Sequence, residues 1–176
     1  MSNVIIGIIG VILFIGLAVA SATILGTDFM TAAASSKAAA VTSHLQQIAQ
    51  ASQGLKARRG ATAPSNAPSF GAALVAQNAL KSVPINPMVP SNPYLAANAA
   101  FGQDGSDAAY VYTTLGVGGD KRARDVCFAI EETAGNANPA AVVDAQVDIV
   151  NRVLSIGRLG CAYAQQTGQY MAFAPA

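Results

Sequence analysis

The sequence predicts an α+β fold, with one long N-terminal α-helix packed on a small antiparallel β-sheet domain. Three observations predict it. An uncharged apolar run from Val4 to Leu25 passes without a break signal into a stretch with helical periodicity. Beyond residue 60 the composition shifts to a segment punctuated by Pro, Ser and Asn. The last third then carries β-branched and aromatic runs bounded by glycine turns, the pattern of short strands.

The helix comes first. Val4 to Leu25 is 22 residues of mainly Ile, Val, Leu, Gly and Ala, and the first ionisable side chain is Asp28. About 20 such residues cross a bilayer core, so the segment is long enough to span. No Lys or Arg precedes it and it is too long for a cleaved secretory signal. Thr27 to Arg59 contains no Pro and one Gly, Gly54. It is rich in Ala, Gln, Lys and Leu, all good helix formers. Val41, Leu45, Ile48 and Leu55 recur on one helical face, while Ser43, Gln46, Gln47, Gln50 and Gln53 fall largely elsewhere. Gly60 and Pro64 are the first stop signals. A helix over about 2–58 would be roughly 85 Å long at 1.5 Å per residue. Its halves differ: 1–27 is the hydrophobic transmembrane or filament-core half, 28–59 the amphipathic half, and 60–176 is a globular head.

Within the head, 60–108 is a loop region broken by Pro64, Pro68, Pro84, Pro87, Pro90 and Pro93. The pattern predicts a short helix over Gly71–Lys81 with Leu74, Val75 and Leu80 inward, and an extended Val83–Asn92 wrapping a surface. Region 109–126 holds a strand over Ala109–Leu115, a turn over Gly116–Gly119 and the start of a helix. Asp120 caps that helix, which runs to about Ala134 and stops at Gly135. Its inward face carries Ala123, Val126, Cys127 and Ile130. Lys121, Arg122 and Arg124 oppose the helix dipole and read as a solvated or interface face. Ala141–Leu154 is ambiguous; Val142, Val143, Val147, Ile149, Val150 and Val153 favour a strand over part of it. In 162–176, Gln169–Ala174 pairs with Cys161–Gln165 in a terminal hairpin turned at Thr167–Gly168.

Apolar residues make up 52% of the 176, charged residues 11%, and the formal net charge is +1. Bulk electrostatics thus give no reason to expect a nucleic-acid partner. The single histidine, His44, sits next to Ser43, and adjacent helical side chains diverge. It reads as a surface or interface residue, and the chain as a non-enzyme without a cofactor. Gly116-Val117-Gly118-Gly119-Asp120-Lys121 lacks the spacing and hydroxyl residue of a phosphate loop and reads as a turn. Cys127 and Cys161 do not make up a zinc site, which takes four ligands. They are buried thiols in a cytosolic chain or a disulfide in an exported one.

This order of features resembles the class-b type IV pilins. It comprises the uncharged helix continuing into an amphipathic one, a Pro/Ser/Asn-rich loop, a strand and a cysteine-bearing helix (Asp125-Val126-Cys127-Phe128-Ala129-Ile130). A Val/Ile-rich stretch, a second cysteine (Gly160-Cys161) and a terminal strand complete it. The resemblance spans essentially the whole chain by architecture. It implies a subunit held in the inner membrane and then assembled into an extracellular homopolymeric pilus. Its partners would be other copies of itself, a prepilin peptidase and the pilus assembly machinery. Residues 127–161 would match the family's disulfide-bounded region, with Cys127 bridged to Cys161. Met1 would be the processed, N-methylated residue, and Ile5, Gly7, Gly10, Phe14 and Gly16 would pack helix on helix in the filament core. Most major pilins have glutamate at the fifth mature position, where this chain has Ile5. Two other readings remain open: a single-pass anchored, exported binding protein, and a secretion-system pseudopilin.

Overall fold

The computed structural model describes the backbone of residues 2–59, 70–97, 110–147 and 158–176, and the side chains there except 2–10, 18–28, 59, 97, 146 and 147. The chain divides into two units, Met1–Ala33 and Ala34–Ala176. The first helix, α1, is Ser2–Arg59, as the unbroken pattern predicts.

In the first unit, Val11, Ile12, Leu13, Phe14, Ile15 and Leu17 are all exposed, Phe14 to 74%. Seven consecutive positions make nearly two turns at 3.6 residues per turn, so the apolar surface encircles the helix. Such a helix is ordinarily covered by protein or lipid. Among the described residues no helix is both long and apolar enough to cross a membrane. Of the predicted 4–25 span, only the side chains of 11–17 are among them.

In the second unit the α1 stripe is sealed. Ala38, Val41, Leu45, Ile48, Ser52 and Leu55 are buried, at alternating steps of three and four residues. Each large apolar side chain so buried contributes about 1.5–3 kcal/mol. The remaining elements are α2 (Phe70–Ala76), β1 (Leu95–Ala97), β2 (Tyr110–Val117), α3 (Lys121–Thr133), α4 (Pro139–Asp144), β3 (Gln146–Val147), β4 (Gly160–Ala164) and β5 (Gln169–Pro175). The sheet order is β1-β2-β5-β4-β3. The first four neighbours pair antiparallel, and β3 joins β4 in parallel.

Strand alternation splits the sheet residues between two faces. Val111, Leu115, Cys161, Tyr170, Ala172 and Ala174 join α1 and α3 in the main core. Ala162, Ala164, Met171 and Phe173 form a second cluster with half-buried Tyr110 and Tyr112. The fold is therefore α+β, with a long helix and a small, mainly antiparallel sheet.

Three predicted elements need correction. The helix at 71–81 is shorter: it ends at Ala76 because Asn78 turns left-handed (φ 55°). The Asn78 N–H donates to the Val75 carbonyl (2.9 Å) and the Ala79 N–H to the Leu74 carbonyl (2.8 Å), a closed C-terminal cap. Leu74 is buried as expected, but Val75 and Leu80 are only half-buried. The run from Ala141 opens as helix α4, not strand. Asn138 caps it by accepting from the Ala141 N–H (3.3 Å), Pro139 stands in its first turn and Val143 is buried. A good cap and a proline preset for helix outweigh β-branched composition there. The predicted strand survives as Gln146–Val147, and 148–154 lies outside the described residues. Val83–Asn92 forms no strand and is interrupted by bends at 87–88 and a turn at 90–92, and β1 falls within the region read as loop.

Candidate functional site

The C-terminal third is built around α3. Asp120 caps it, accepting from the Arg122 N–H at 2.9 Å, as predicted. At the other end Gly135 is left-handed (φ 79°) and Asn136 N–H donates to the Glu131 carbonyl at 3.0 Å. Ala123, Val126, Cys127 and Ile130 all face the core. Cys127 is bonded to Cys161 on β4, with Cα atoms 5.4 Å apart and a separation of 34 residues. The bridge encloses the 127–161 region.

Sequence reasoning missed a second clamp beside the disulfide. Glu131 lies one helical turn beyond Cys127, on the same face of α3. Its side chain is buried. Oε1 accepts from the Cys161 backbone N–H at 2.7 Å, and Oε2 accepts from Asn136 Nδ2 at 2.9 Å. One β4 residue is thus held to one helix face both by a covalent bond and by a carboxylate. The only signal in the sequence was the i, i+4 spacing of Cys127 and Glu131.

Arg124 does not belong to a free basic face. Its guanidinium donates bidentately to the Asp144 carboxylate, both contacts 2.7 Å, and ties α3 to α4. That hydrogen bonding, with the attraction of the guanidinium charge, holds the Asp144 carboxyl below its ordinary value. Lys121 and Arg122 remain exposed. The turn expected over Gly116–Gly119 is shorter, because Gly116 and Val117 still pair with Tyr170 and Gln169 in β2 and only Gly118–Gly119 turn. Its Gly118 N–H donates to the Gly168 carbonyl of the β4–β5 turn at 2.7 Å. A Cβ at Gly118 would lie 2.6 Å from the Tyr163 hydroxyl, so only glycine permits that approach.

Two buried polar contacts fix the rest of the head. Asn86 donates through Nδ2 to Thr113 Oγ1 (2.9 Å) and the Thr114 carbonyl (2.8 Å). Its Oδ1 accepts from the Met88 and Val89 N–H groups. His44 Nδ1 is 2.9 Å from the Tyr94 hydroxyl, with the two rings edge to face. His44 is thus a half-buried internal contact rather than a surface residue. Burial pushes the Tyr94 phenol well above its ordinary value.

Of the residues expected to pack a filament core, Phe14 is exposed and a Cβ at Gly16 would meet nothing within 4 Å. Met1 and the side-chain surroundings of Ile5, Gly7 and Gly10 lie outside the described residues. Among the described residues no group of three or more His, Cys, Asp or Glu is placed to hold a metal ion. Compared with known proteins, the chain matches no family model, no curated protein and no solved structure.

Proposed function

We propose that this chain is a structural subunit of an extracellular filament of the class-b type IV pilin kind. The observation that carries the reading is the helix itself. Residues 11–17 of α1 present apolar side chains on every side, while residues 38–55 of the same helix seal the core of a disulfide-bridged α+β head. The first segment needs an apolar covering, which lipid supplies before assembly and neighbouring copies supply after it. The subunit would wait in the inner membrane, be processed by a prepilin peptidase, and be carried into the polymer by the pilus assembly machinery. It has a structural rather than a catalytic role.

The test is electron microscopy of the sheared surface fraction of cells expressing the chain, with antibody against the head. Labelled filaments support the reading. Label confined to membranes overturns it in favour of an anchored binding protein, and short stubs favour a secretion-system pseudopilin.

A further inference from the structure

The exposed ends of α3 carry charges that oppose their own helix. A helix favours acids in its first turn and bases in its last, because its N-terminus is the positive end of the backbone dipole. In α3 the first turn holds no acid and the last turn no base. Lys121 and Arg122 are exposed at the start, and Glu132 is exposed at the end. Arg124, a turn further in, is neutralised by Asp144. The capping Asp120 offsets one of the two exposed bases. The Arg158 guanidinium donates to the Ala134 carbonyl at 2.7 Å and offsets one of the two acids Glu131 and Glu132. An excess positive charge remains at the start and an excess negative charge at the end. The Lys121, Arg122 and Glu132 side chains make no ion pair among the described residues.

Each end of α3 is thus suited to the opposite end of another α3, and a second copy of this chain supplies both. Two arrangements bring Lys121 of one copy to Glu132 of another. In an antiparallel, side-by-side pair, the two Asp125 carboxylates would fall within one helical turn of each other across the twofold axis. Like charges so placed disfavour that contact. End to end, the negative end of one α3 meets the positive end of the next, and dipoles and side chains agree in sign. A head-to-tail contact of this kind is heterologous and repeats along a polymer.

We infer that the Lys121–Arg122 end of α3 docks on the Glu132 end of α3 in the next copy along the filament. The inference rests on the filament reading, which lines the copies up in one direction. Exposed ion pairs are individually weak. The contact therefore sets the register of heads that α1 already holds close together, where the effective concentration is high.

The experiment is zero-length carbodiimide coupling of sheared surface filaments, with mass spectrometry of the linked peptides. Lys121 and Glu132 are eleven residues apart in the chain, about 16 Å along one helix, so a direct amide between them joins two copies. That link is expected in a ladder of dimers, trimers and higher species. Salt at about 1 M should reduce its yield severalfold, because the screening length falls to about 3 Å. Arg122→Glu keeps both coupling groups and places an acid in the first turn, so the head should be at least as stable to urea. It reverses the excess charge at that end, so the yield of the link should fall severalfold. Filaments without the link, a link confined to dimers, or an unchanged yield in Arg122→Glu overturns this inference and leaves the filament reading standing. If no filaments form, both fall.

Discussion

Glu131 offers the sharpest test of how the head is held. Its carboxylate is 1% exposed and accepts from the Cys161 N–H at 2.7 Å and from Asn136 Nδ2 at 2.9 Å. Hydrogen bonds to charged groups contribute about 1.5–3 kcal/mol each, and a buried donor left unpaired costs about 1–3 kcal/mol. Cys161 is fully buried, so water cannot replace the lost acceptor. Glu131→Ala should therefore cost about 3–5 kcal/mol, a large share of the 5–15 kcal/mol typical of a domain. Glu131→Gln keeps a carbonyl acceptor for Cys161 and should cost only about 1 kcal/mol. Glu131→Leu fills the volume without an acceptor, so it should resemble Ala rather than Gln. The assay is urea unfolding of the oxidised full chain in micelles, followed through its five tyrosines, with midpoints compared at constant slope. If Glu131→Leu is as stable as the parent, the side chain fills space and the hydrogen-bond account fails.

Three further outcomes are expected. Replacing Cys127 and Cys161 together by Ser should cost about 4 kcal/mol by loop-closure entropy for a separation of 34 residues, and an unchanged urea midpoint would refute this. Asn86→Ala should cost about 2–3 kcal/mol and expose the Met88 and Val89 amides to exchange; undiminished protection there would show that the loop is held by other means. Asp144, whose carboxyl is lowered by Arg124, contributes stability that is present above the ordinary carboxylate value of about 3.9 and lost as pH falls through the lower folded value. Exchange protection of 139–144 should thus weaken below about pH 4, and Asp144→Asn should abolish that acid dependence; an identical acid profile in the variant counts against the pairing.

The parts of this fold legible in the sequence are those encoded locally. Val41, Leu45, Ile48 and Leu55 announce their face by spacing, and Asp120 and Gly135 mark the two ends of α3 by cap chemistry. The terminal hairpin follows from alternation around Gly168. What escaped depends on partners distant in the chain. The Asn86 tie needs Thr113, the Arg124 pair needs Asp144, and His44 needs Tyr94; no local pattern marks any of them. Two misses were local and readable. Asn78 is one of the few non-glycine residues at ease in the left-handed region, and it ends α2. Asn138-Pro139 is a helix start, and the valines after it drew the reading toward a strand.

The first unit poses a different physical problem, and one variant addresses it. Six large apolar side chains between Val11 and Leu17 are exposed. At about 1.5–3 kcal/mol each, leaving them in water would cost about 10 kcal/mol or more. Lipid and a neighbouring helix both remove that cost, but they differ in what they ask of the surface. Lipid accepts any apolar outline, whereas a packed helix needs small residues so that backbones approach closely. Gly7, Gly10 and Gly16 are such residues. Gly10→Leu therefore separates the two coverings. It increases hydrophobicity and removes a helix-weakening glycine worth up to about 1 kcal/mol, so insertion into a membrane should be undiminished. The added bulk should prevent close packing, so surface filaments should be lost. The measurement is the filament count per cell alongside the amount of membrane-inserted subunit. Normal filaments from Gly10→Leu would show that the helices do not pack closely at that position, and would leave lipid as the only covering this segment requires.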